Sequence, residues 1–191
     1  VAVLAVEYVG YGAYQEESTP SARSAFRSVE AAYQHALRLG HTPDQIILYG
    51  QSIGSAPVCA VAAANPVGGV VLHSPIATGL RTMTDNGPCS PVCMFACLEP
   101  FNNLRAIKRI ESVVFIIHGT EDEEVPCSHG EMLHAAAQAP HPPYWVEGAG
   151  HSDIVENHSD EYFRQLRFFV DGRRDLEAAD AAPQKISGGV R

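Results

Sequence analysis

Gly50-Gln51-Ser52-Ile53-Gly54 sets a serine between two glycines, directly after the β-branched run Gln45–Tyr49 and just before the small apolar stretch Ile53–Ala64. A strand-to-helix turn this tight strains its central residue and crowds the positions two either side, so Gly50 and Gly54 dispense with side chains. Ser52 Oγ then projects at the positive end of the following helix. The Ile53 N–H is placed to donate to an oxygen on which negative charge develops. The chemistry is nucleophilic attack on an acyl carbon. A serine hydroxyl attacks weakly and needs a base.

Nine histidines compete for that role. His151 closes the glycine-rich segment Glu147-Gly148-Ala149-Gly150-His151, beyond a strand end, where an imidazole can reach Ser52. His118 also follows a strand, but Gly119 and a turn come next, which suits a structural role. His73 ends a strand and could line the pocket. The imidazole in turn needs a carboxylate to orient it. His118-Gly119-Thr120-Glu121-Asp122-Glu123-Glu124 offers several, and a short Asp held by turn amides fixes a ring better than a flexible Glu. Asp122 is therefore preferred, with Glu121 and Glu123 behind it. Asp153, two residues from His151, reads as a brace for its own loop.

The elements that must carry these residues alternate. Strand-like runs lie at Val1–Tyr8, Gln45–Tyr49, Val67–Leu72, Val113–Ile117 and Tyr144–Glu147. Helical spacing marks Pro20–Leu39, Ile53–Ala64, Leu104–Ile110, Ser128–Gln138 and His158–Val170. Residues 83–100, with four prolines or glycines and three cysteines, read as a lid or substrate-side loop. The domain is expected to span 1–171, and the polar, aperiodic 172–191 to form a mobile tail. Alternation implies a mainly parallel sheet with helices on both faces, whose ligands bind beyond the carboxyl ends of the strands. Ser52, Asp122 and His151 all follow strands, in the chain order Ser, Asp, His that characterises the α/β-hydrolase fold.

Composition removes other classes. The 191 residues carry a net charge of −9, which disfavours a nucleic-acid partner. No apolar run approaches the ~20 residues of a membrane span. There is no Gly-x-Gly-x-x-Gly, Walker loop or zinc-finger spacing, so no metal or organic cofactor is expected. The cysteines read as reduced thiols. Cys89, Cys93 and Cys97 would share one face of a helix, and their acylation or loose metal binding is a minor alternative.

Four blocks carry a specific resemblance. They are Ile46-Ile47-Leu48-Tyr49-Gly50-Gln51-Ser52-Ile53-Gly54, Leu72-His73-Ser74-Pro75, His118-Gly119-Thr120-Glu121-Asp122-Glu123 and Trp145-Val146-Glu147-Gly148-Ala149-Gly150-His151. From about Glu7 to Val170 the chain resembles the alpha/beta-hydrolase domain-containing protein 17 family, serine hydrolases that remove palmitate from cysteines of membrane-associated proteins. The resemblance implies Ser52 as nucleophile, Asp122 as the acid and His151 as the base. It implies an acylated protein or a small acyl ester or thioester as substrate, and a cytoplasmic location. Ser128-His129-Gly130 also matches, without a role. Two departures stand out: Ser152 where the family usually has Asn after the histidine, and the Pro- and Cys-rich stretch 83–100.

By the family fold, Val1–Tyr8 is the fourth strand, and a third strand with the loop that supplies the other oxyanion donor would precede Val1. The family's Cys-rich membrane-anchoring segment would lie upstream as well, giving peripheral membrane association. The expectation is an N-terminally incomplete hydrolase that folds or turns over poorly as it stands. Rapid amide exchange across Val1–Tyr8 and Gln45–Tyr49 is expected, and strong protection there would refute it. The same three residues also suit a carboxylesterase or serine peptidase, and a non-catalytic binding module on this fold is the alternative from another class.

Overall fold

The computed structural model describes residues 1–14, 19–83 and 99–180. Cys89, Cys93 and Cys97, and most of the expected lid, lie outside the described residues. Helix α1 (Ala22–Arg38) leads to β1 (Ile47–Gln51), α2 (Ser55–Ala62), β2 (Gly69–His73) and the short α3 (Gly79–Met83). Next come α4 (Asn103–Ala106), β3 (Val114–Gly119), α5 (Ser128–Ala136), β4 (Tyr144–Val146), α6 (Ile154–Asn157) and α7 (Ser159–Asp180). The four strands form one parallel sheet in the order β1-β2-β3-β4, with Tyr49 beside Val71, His73 beside Ile117 and Gly119 beside Val146.

Strands buried on both faces read as continuous apolar runs. In β2 and β3 every residue is buried, and their side chains alternate between two cores. Leu48, Val70, Leu72, Val114 and Ile116 pack with Val29 and Tyr33 of α1, Val58 and Val61 of α2 and Leu133 of α5. Val71, Phe115, Ile117 and Val146 pack on the opposite face with Tyr162 and Phe169 of α7. Successive crossovers in one direction, each right-handed, put α2 and α5 on the same side and leave the other side to the closing helix. The Phe115 and Phe169 rings stack there with centroids 5.4 Å apart.

Two expectations need correction. Val1–Tyr8 forms no strand: Val1 and Val3 are 98% and 89% exposed, and no strand among the described residues lies beside them. A β-branched run has no ladder to join without a neighbour. The closing helix, expected to end at Val170, continues to Asp180. The sequence from Arg174 to Asp180 lacks apolar periodicity, but Ala, Leu, Arg and Glu are strong helix formers, so propensity carries the backbone on. The rest of the expected tail, 181–191, lies outside the described residues.

Candidate active site

Three loops at the carboxyl ends of β1, β3 and β4 converge on one point. The first carries Ser52, which has a left-handed backbone, φ +50°, in a single turn between β1 and α2. A serine rarely adopts that conformation unless its surroundings impose it. At Gly50 a Cβ would sit 2.6 Å from the Gly54 carbonyl oxygen, so the turn admits only glycine there. The expectation for Gly54 does not hold equally. A Cβ at that position would meet only the Tyr8 hydroxyl, at an ordinary 3.5 Å.

Ser55 supports the strained turn from below. Its hydroxyl donates to the Ser52 carbonyl (2.5 Å) and accepts from Asn103 Nδ2 (3.0 Å) and the Ile76 amide (3.3 Å). Asn103 also donates to the Ile76 carbonyl (2.8 Å). Both Ser55 and Asn103 are buried, so these bonds are shielded from water. Sequence reasoning missed both, because 48 residues separate them and only the fold joins them.

On the second loop Asp122 is the buried member of its acidic run, whereas Glu121, Glu123 and Glu124 face solvent. Its Oδ1 accepts from the amides of Glu124 (3.0 Å) and Val125 (2.7 Å). Its Oδ2 lies 2.7 Å from His151 Nδ1. A carboxylate oxygen accepts only, so Nδ1 carries the proton and the neutral ring presents a bare Nε2. That Nε2 lies 3.0 Å from Ser52 Oγ, in position to accept its proton. Ser52, Asp122 and His151 are thus brought together as the sequence reading placed them.

The third loop reaches Ser52 because Gly119 lets it pass. A Cβ on Gly119 would overlap the carbonyl oxygens of Ala149 and Gly150. The Thr120 amide bonds Val146 O (3.0 Å) and the Glu121 amide bonds Ala149 O (2.9 Å), stitching the Asp122 and His151 loops together. Asp153 braces its own loop, accepting from the Gly150 amide at 2.7 Å. His73 does not line the pocket. It is buried under α7, its Nδ1 2.8 Å from the Tyr49 hydroxyl, which itself meets the Tyr162 hydroxyl at 2.9 Å. Burial lowers the His73 pKa to about 4, so the ring is neutral near pH 7.

Beside Ser52 opens a cleft of about 550 Å³ with apolar walls from Ile53, Ile76, Leu80, Phe101 and Val125. Among the described residues no group of three or more His, Cys, Asp or Glu side chains is arranged to hold a metal ion, and no helix is long and apolar enough to cross a membrane.

A parallel sheet with helices on both faces, and these three side chains on loops after its strands, is the architecture of the α/β-hydrolase fold. Solved structures agree on the fold. A meta-cleavage product hydrolase from Pseudomonas fluorescens superposes with TM-score 0.64 at 18% identity, covering 87% of this chain and 78% of that one. A monoacylglycerol lipase from Paleococcus ferrophilus superposes with TM-score 0.58 at 17% identity, covering 80% and 76%.

By sequence the chain is a relative of the alpha/beta hydrolase domain-containing protein 17 group, as its motifs indicate. It is 38% identical over 169 residues to the human 17B protein, covering 88% of this chain and 56% of that protein. To the Xenopus tropicalis 17C protein it is 38% identical over 170 residues, covering 88% and 52%. The chain spans about half the length of the curated relatives it matches. No family model matches it.

Proposed function

We propose that this chain is the catalytic part of a serine hydrolase that cleaves acyl thioesters or esters, and that its substrate is a palmitoylated protein. The observation that carries the reading is the hydrogen-bonded series Ser52, His151, Asp122 at the rim of an apolar cleft. Ser52 Oγ attacks the acyl carbon as its proton passes to His151 Nε2, and Asp122 stabilises the imidazolium so formed. The Ile53 amide donates to the oxyanion. The bond from carbon to sulfur, or to the ester oxygen, breaks as His151 returns the proton to the leaving group. Water then attacks the acyl-serine as His151 takes its proton, and His151 returns that proton to Ser52 Oγ as the carbon–Oγ bond breaks and the carboxylic acid leaves.

The long acyl chain is favoured by the cleft, whose apolar walls suit an aliphatic tail and whose size falls within the usual range of ligand pockets. The palmitoyl group and the protein substrate rest on the resemblance to the 17 group. Peripheral membrane contact belongs to the same proposal and rests on the same resemblance.

Intact-mass analysis after fluorophosphonate treatment tests the reading. One adduct is expected on the parent and none on Ser52→Ala, followed by faster turnover of a palmitoyl thioester than of a peptide substrate. An adduct persisting in Ser52→Ala would remove Ser52 from the reaction, and preference for the peptide would convert the assignment to a peptidase.

A further inference from the structure

His118, the last residue before Gly119 in β3, is completely buried on the α5 side of the sheet. Its Nε2 lies 2.8 Å from the Val125 carbonyl oxygen. A carbonyl can only accept, so Nε2 carries the proton. Asp122 Oδ2, the oxygen that holds His151, lies 3.2 Å from the same nitrogen, a close polar contact beside the bond to Val125. Nδ1 is buried without a hydrogen-bond partner. A bare ring nitrogen tolerates that better than a buried N–H, which without an acceptor forfeits its whole hydration. The ring is therefore a neutral Nε2–H tautomer.

These contacts close a loop. The Val125 amide donates to Asp122 Oδ1, the Val125 carbonyl accepts from His118, and the His118 N–H reaches Asp122 Oδ2. We infer that His118 is a positioning residue for the proposed hydrolysis, fixing the Asp122 carboxylate from behind and sharing the oxygen that orients His151. The inference rests on the proposed function and adds a fourth residue to it.

Sharing has a direction. The positive end of the N–H dipole beside Oδ2 partly offsets the carboxylate's charge. Without it, the negative potential at His151 rises, the imidazolium is favoured, and neutral base is lost at a higher pH. Other titratable groups surround the site, among them Asp153 on the His151 loop, which accepts from the Gly150 amide. On the Asp122 loop is Glu124, whose carboxylate is 4.0 Å from His151 Nε2. From β2 comes His73, and from α5 His129. Cys127 precedes α5, with Glu131 of that helix beside it, and Arg81 of α3 acts on His129. Burial lowers the pKa of His73, His118 and His129, which keeps those three rings uncharged near neutrality. That leaves Asp122 as the buried charge acting on His151.

The test is the rate of fluorophosphonate labelling from pH 5 to 9 on the parent, His118→Met and His118→Gln. Loss of the hydrogen bond to Val125 and of the close contact on Asp122 sets the scale: His118→Met should label about tenfold more slowly at pH 7. Its acid limb should move upward by roughly half a pH unit. The Gln amide N–H reaches where Nε2 stood and should restore both. A Met variant with the parent's rate and limb overturns the inference, as does a Gln variant no better than Met. If the parent itself is not labelled at Ser52, the proposed function fails instead. Nitrogen NMR of the histidine-labelled parent keeps the inference testable even where His118→Met fails to fold. It should show His118 as the Nε2–H tautomer across that pH range, and the Nδ1–H tautomer or an imidazolium would overturn the assignment.

Discussion

Asp122→Asn should lower kcat/KM on an acyl thioester by about 10⁴-fold, the scale of the corresponding change in serine proteases. The loop survives, because the Asn carbonyl oxygen still accepts from the Glu124 and Val125 amides, as Asp122 Oδ1 does now. What changes is the group facing His151 Nδ1, 2.7 Å away, and His118 Nε2, 3.2 Å away. An amide NH₂ there opposes an N–H, so the ring settles in its other tautomer, with the proton on Nε2. Nε2 then cannot accept from Ser52, and the nucleophile loses its base. Glu121→Gln and Glu123→Gln, on exposed side chains, should stay within about twofold of the parent. Steady-state kinetics on the three variants decides among the carboxylates of this run. Asp122→Asn retaining more than a tenth of the parental rate would move the orienting role elsewhere.

The choice among those carboxylates shows how far sequence reaches. β-branched runs and turn glycines located the strands that persist, β1 to β4, and the strand ends located Ser52, Asp122 and His151. Residue type alone favoured Asp122, but its burial and its two turn amides appear only in three dimensions. Val1–Tyr8 has the composition of a strand and forms none, because a strand is a property of a pair and local propensity cannot supply the partner. His118 was legible as structural, since Gly119 and a turn follow it. Its reach to Asp122 was not, because that depends on where the loop returns the Val125 carbonyl. Ser55 and Asn103 were illegible for the same reason: a buried hydroxyl and a distant amide have no common period in sequence. The elements were set by local pattern and the site's support by long-range geometry.

The same buried histidines bear on the protein's tolerance of acid. His73 binds a proton near pH 6.5 in the unfolded chain, but in the fold burial first, and then the neighbouring His151 and His118, hold its pKa at about 4. Between those values the unfolded state binds more protons, so stability rises with pH and is lost as pH falls from 6.5 towards 4. A shift from 6.5 to about 4 corresponds to about 3 kcal/mol, a large share of a typical 5–15 kcal/mol of stability. The pKa values of His118 and His129 are lowered as well, by burial, so they act with the same sign. Asn at position 73 can accept from the Tyr49 hydroxyl, as His73 Nδ1 can, without a titrating ring. Urea unfolding at pH 7 and pH 4.5 should therefore show a loss of stability in the parent that is about 2 kcal/mol smaller in His73→Asn. Equal losses in the two proteins would mean that His73 takes up its proton in the fold as readily as in the open chain. The bonds linking His73 to Tyr49 and Tyr49 to Tyr162 would then have to accommodate an imidazolium beneath α7, which the burial found there opposes.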